Sequence, residues 1–146
     1  MRLILDFQGF KDERNKFIPK ELASYDGFKL SHYIFKKPYS FSLLPPKEHD
    51  QAVWLMKNYH FLDWNDGFTP LHHFAEIIEK ITKDAQFVYV KGHEKKEYIR
   101  KYCTKPIVEL DEQPSIQPSM PKCIFHSKSP AICALSNVFN MYDIFL

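Results

Sequence analysis

The chain has 146 residues, 45% hydrophobic and 16% aromatic, which suits a single domain over 1–146 with a core that needs no disulfide staples. This composition excludes a disordered chain, no apolar run reaches the length of a membrane span, and a formal net charge of +2 is too small to argue for a nucleic-acid partner by itself. Three cysteines with no export signal point to an intracellular, reducing setting, cytoplasm and/or nucleus, where thiols are free or metal-bound.

The opening MRLILDFQGF reads as a buried strand over 2–7, because Asp6 breaks the apolar run too early for a signal peptide. GFKDERNKF is a polar turn, and FIPKELASY (17–25) a second strand whose Pro19 suggests an edge. Asp26-Gly27 is a hairpin signal before a third strand, FKLSHYIFK, so the chain opens on a three-stranded antiparallel meander. After a proline-marked connector, DQAVWLMKNYH (50–60) has helical spacing with Asp50 as N-cap. LDWNDGFTP reads as a loop that caps the next helix and is anchored by Trp64. The next helix starts at Thr69-Pro70 and lines up Leu71, Phe74, Ile77, Ile78 and Ile81 on one stripe. A strand over 86–90, a helix after Gly92, a strand over 105–110, a proline-rich loop and a last helix containing Leu135, Val138, Phe139, Met141 and Tyr142 complete the order. Strands alternating with helices after a meander predict an α/β fold with a mixed sheet and flanking helices.

Two groups of residues carry chemistry. The stretch CIFHSKSPAIC places His126 three residues after Cys123 and returns with Cys133. These are either ligands of one zinc ion or two buried thiols and a surface imidazole. Lys91, Lys95, Lys96, Arg100, Lys101 and Lys105 outnumber two glutamates between 91 and 105. On a helix Lys96, Arg100 and Lys101 share a face that could follow a phosphate backbone, with Tyr98 and Tyr102 stacking on bases, or that could simply be solvated. Cys103 reads as core. His72 and His73 point about 100° apart on a helix and cannot chelate together. A lone buried carboxylate is costly, so Asp6 is expected near the surface or hydrogen-bonded.

The order of elements resembles the ribonuclease H-like fold in the form of the DEDDh 3′–5′ exonucleases, whose acids hold divalent metals at the scissile phosphate. Their Asp-x-Glu motif is matched by Asp6-Phe7-Gln8, their Gly-His turn by Gly92-His93 followed by lysines, and their last motif by Cys133-Ala134-Leu135-Ser136-Asn137. Of those groups only Asp6 is unchanged, so the resemblance implies the fold without the two-metal chemistry.

With Glu21 in PKELAS, the set Glu21, Cys123, His126 and Cys133 is similar to that of the Maelstrom domain of the piRNA pathway. That resemblance implies a structural zinc held by those four residues and binding of single-stranded nucleic acid, RNA before DNA, for which Lys91, Lys95, Lys96, Arg100 and Lys101 are the candidate contacts read from the sequence. It also implies silencing-complex proteins as partners and no membrane. Two other readings stand beside it. One is a metal-dependent 3′–5′ exonuclease using Asp6, Glu21 and one of Glu109, Asp111 or Glu112, or an RNA endonuclease that does not use the exonuclease acids. The other is a protein-interaction scaffold.

Overall fold

The computed structural model describes residues 1–110 and 133–145. It is α/β: a five-stranded mixed sheet with helices on both faces. The strands are β1 (Arg2–Lys11), β2 (Phe17–Tyr25), β3 (Leu30–Ile34), β4 (Phe87–Lys91) and β5 (Ile107–Leu110). The helices are α1 (Pro46–Asn58), α2 (Phe74–Thr82), α3 (His93–Ile99) and α4 (Ala134–Phe145). The sheet order is β3-β2-β1-β4-β5. The first three strands pair antiparallel, but the sheet does not run on as a meander. After β3 the chain crosses back, and β4 pairs parallel to β1, with β5 parallel to β4. The first strand is therefore the central one.

Being central, β1 must be buried on both sides, and its alternation shows how. Leu3, Leu5 and Phe7 face a core that includes Phe74, Ile77 and Ile78 of α2 and Ile99 of α3. Ile4 faces Ala134, Val138 and Met141 of α4, together with Ala23 of β2. Asp6 and Gln8 continue the second face and are buried too, at 1% and 7% exposure. A third cluster gathers Phe10, Ile18, Leu44, Ala52 and Trp64 beneath α1. Trp64 is fully buried, and its indole N–H donates to the Tyr39 carbonyl at 3.0 Å.

Several boundaries differ from expectation for local reasons. β1 runs on through Gly9 to Lys11, and the turn follows at Asp12, whose Oδ1 accepts the N–H groups of Arg14 and Lys16. α1 starts at Pro46 and not after Asp50, because a proline at the first helical position is already suited to it. α2 is preceded by a single 3-10 turn at Leu71–His73. Leu71, Phe74, Ile77, Ile78 and Ile81 do pack into one core.

β2 carries a bulge that reaches far into the structure. Gln8 pairs with Glu21 but Gly9 pairs with Pro19, so Lys20 is the extra residue. A Cβ on Gly9 would lie 2.0 Å from the Ile18 carbonyl oxygen, so only glycine closes the strands there. Lys20 is buried, and its Nζ donates to the carbonyls of Phe35 and Trp64, each at 2.9 Å, and to that of Asp66. Three N–H groups thus meet three acceptors. Burial pushes the ammonium down to about 8, against the pull of Asp66 and Asp63.

The folded chain therefore releases this proton at lower pH than the unfolded chain, whose lysine titrates at the ordinary 10.5. Between pH 8 and 10.5 the unfolded state binds more protons, so folding is favoured as pH rises through that window. Urea midpoints of the wild type, taken relative to Lys20→Met, are expected to climb across it. A difference that stays flat or falls would contradict this account of Lys20.

Candidate functional site

Two neighbouring carboxylates lie buried on one face of the sheet, beneath the first turn of α4. The first is Glu21, with 0% exposure in the middle of β2. Its Oε1 accepts the backbone N–H of Ala134 at 2.9 Å. That N–H is among the first of α4, which no intrahelical carbonyl can satisfy, and an acid is electrostatically favoured at that end. Its Oε2 accepts His32 Nε2 from β3 at 2.7 Å and lies 4.0 Å from Cys133 Sγ. Pairing of Ala23 with His32 puts that imidazole beside Glu21. His32 is a functional candidate that sequence reasoning missed. The Asp26-Gly27 turn, by fixing the hairpin register, was the signal that could have found it.

The second carboxylate is Asp6, on β1 beside Ala23. Its Oδ1 is ion-paired to Lys95 Nζ of α3 at 2.5 Å. Its Oδ2 accepts Asn137 Nδ2 of α4 at 2.9 Å and, more weakly, Gln8 Nε2 at 3.4 Å. Asp6 is thus hydrogen-bonded as expected, but deeply buried and not near the surface. Gln8, Lys95 and Asn137, read from the sequence as departures from an acid-rich pattern, all converge on Asp6.

Cys123 and His126 lie outside the described residues, as do Asp111 and Glu112. Of the four expected zinc ligands the structure brings together Glu21 and Cys133. Two ligands of a tetrahedral zinc with bonds of about 2.0 and 2.3 Å stand about 3.5 Å apart. The observed 4.0 Å between oxygen and sulfur is close to that separation. Among the described residues there is no group of three or more His, Cys, Asp or Glu arranged to hold a metal ion.

The expected cationic face divides. Lys95 turns inward to Asp6. Lys96 and Arg100 line an open groove of about 360 Å³ together with Cys103, Lys105 and Ile107. Arg100 also bonds Glu97 at 2.8 Å, and this bond holds the Glu97 carboxyl below its ordinary value. Lys101 Nζ sits over the Tyr98 ring at 5.5 Å, and Lys91 is half-buried in β4. Tyr98 and Tyr102 are half-buried against the core. Tyr98 packs on Phe7, Phe17 and Phe74 at 5.6, 5.0 and 5.9 Å, and Tyr102 on Phe74 at 5.2 Å. Their amphipathic rings serve the core because α3 docks on the same apolar face as α2. Burial, with Tyr102 beside it, holds the Tyr98 phenol well above its ordinary value. Cys103 is half-buried at the groove, not fully in the core. Glu109 is ion-paired with His93 at 3.1 Å.

Among the described residues, no helix is long and apolar enough to cross a membrane. Comparison with family models, curated proteins and solved structures gave no match.

Glu21→Ala strands the Ala134 N–H and removes a buried partner of His32, so it is expected to lower stability by about 2–4 kcal/mol. Glu21→Gln keeps an oxygen for Ala134 and is expected to lose less. Urea denaturation followed by circular dichroism checks the order, and equal losses would contradict the role given to the helix N–H.

Proposed function

We propose that this chain is a ribonuclease H-like domain, similar to the Maelstrom domain, that binds single-stranded nucleic acid, RNA in preference to DNA, and lacks two-metal nuclease chemistry. The observation that carries the reading is the division of labour on α3. Its inner side neutralises Asp6 with Lys95, and its outer side offers Lys96 and Arg100 to a groove that Lys105 completes. A two-metal site needs several hard oxygen ligands free to hold ions. Here both oxygens of Asp6 are engaged by nitrogen donors, and Gln8 and Asn137 are amides. The groove suits phosphates, which are held by lysine and arginine in a salt-dependent way.

Glu21 and Cys133, with Cys123 and His126, would hold a structural zinc. Bound there, the ion would supply folding free energy and tie the chain around residues 123–126 to the sheet. Thiolate and imidazole donors suit zinc better than magnesium. A role alongside silencing-complex proteins belongs to the same reading. The rival metal-dependent nuclease draws support from Asp6 and Glu21 lying on one face of the sheet. It is weakened by the partners both acids already have, and by Glu109 being paired with His93.

Fluorescence anisotropy with a labelled single-stranded RNA tests the binding. Lys96→Glu with Arg100→Glu is expected to weaken it by tenfold or more, and wild-type affinity should fall steeply with salt. Absence of wild-type binding at low salt would overturn the reading. Magnesium-dependent shortening of the oligonucleotide, abolished by Asp6→Ala, would establish the nuclease instead. Elemental analysis of purified protein is expected to find zinc in equimolar amount, reduced in Cys133→Ser. A zinc-free folded wild type would remove the metal from the proposal.

A further inference from the structure

Asp6 is fully buried, yet its carboxylate is served by a cation and an amide from distant parts of the chain and, more weakly, by the amide of Gln8 two residues along β1. Lys95 reaches it from 89 residues away and Asn137 from 131 residues away. Among the described residues no buried side-chain nitrogen or oxygen lacks a partner. The Lys95 side chain keeps 27% exposure, so the ammonium sits at the mouth of the site and the carboxylate behind it. Around Asp6 lie one carboxylate and two carboxamides, three groups that each own an oxygen. Their nitrogens face the carboxylate, and among the described residues the positive charge in contact with it is Lys95.

We infer that this cluster is a cation site whose occupant is the chain itself, and that Lys95 holds the place a divalent metal ion would otherwise take. Three physical points support it. A buried carboxylate requires a compensating charge close by, and the ammonium supplies it at 2.5 Å from Oδ1. A covalently attached cation competes as an intramolecular ligand, at an effective concentration that a free ion rarely matches. An incoming divalent ion would also stand within a few ångströms of a fixed positive charge, where repulsion is strong because screening is weak. Without the ammonium the carboxamides of Gln8 and Asn137 can rotate to present their oxygens. Together with Asp6 they then make a three-oxygen set of the kind that magnesium, manganese or calcium accept, with water completing the shell. Lys95 is a positioning residue, since it fixes Asp6 and the docking of α3 without itself meeting a substrate. The inference concerns the Asp6 cluster alone and stands whether or not the groove on the far side of α3 takes nucleic acid.

Manganese serves as the probe. In the wild-type protein, millimolar Mn2+ is expected to leave the side-chain amide signals of Asn137 and Gln8 unbroadened in NMR spectra and the thermal midpoint unchanged. In Lys95→Met the same Mn2+ is expected to broaden those amides and to raise the midpoint. In the triple variant Gln8→Glu, Lys95→Met, Asn137→Asp the rise is expected to be larger, roughly 5 °C or more, because three carboxylates share one small volume until an ion joins them. Lys95→Arg is expected to behave as the wild type, since the charge is kept. Broadening of the Asn137 amide in the wild type would overturn the inference. So would a triple variant that ignores Mn2+, whether it is folded without the ion or remains unfolded with it.

Discussion

The last helix is fastened to the sheet through two buried carboxylates, and much of the molecule is arranged to make that burial tolerable. A carboxylate out of water is unfavourable unless charge and hydrogen bonds replace its hydration. Glu21 draws its replacement from the start of α4 and from His32 of β3. Asp6 draws its own from α4 through Asn137 and from α3 through Lys95. The apolar contacts of Ile4 and Ala23 with Val138 and Met141 would hold α4 against the sheet with little preference for one rotation. The two carboxylates set which turn lies where, because polar partners are directional and apolar ones are not.

This arrangement separates a binding reading from a catalytic one on chemical grounds. An acid that works on phosphate must have oxygens to give a metal. Here the acids give their oxygens to nitrogen donors and to a helix end, while Lys96 and Arg100 of α3 line an open groove.

Much of this could be read in the sequence where periodicity or local turns decide. The stripe from Leu71 to Ile81 and the apolar run of the first strand predicted elements that the structure packs into its core. Gln8, the lysine-rich segment and Asn137 could be singled out too, but only through a resemblance of the element order to a pattern of acids. What could not be read was contact across long separations. Nothing local says that Lys95, and not Lys91 or Lys96, meets Asp6. The position of β4 beside β1 decides it. Tyr98 and Tyr102 show the same limit, since rings beside lysines suit a base platform or a core equally well until the helix is docked. Lys20 was invisible because it depends on a bulge one residue long, and such an insertion leaves the apolar pattern of both strands almost unchanged.

Lys20 and Glu21 are consecutive, and strand alternation sends their side chains to opposite faces of the sheet. The ammonium enters a cage of carbonyl oxygens from Phe35, Trp64 and Asp66, while the carboxylate meets the N–H end of a helix. A slip of β2 by one residue would exchange the two. The negative group would then face oxygens and the positive group would face the positive pole of α4. One adjacent pair of opposite charges therefore works as a two-sided key: the strand fits between its two layers in a single register, and every shifted fit is rejected from both sides at once.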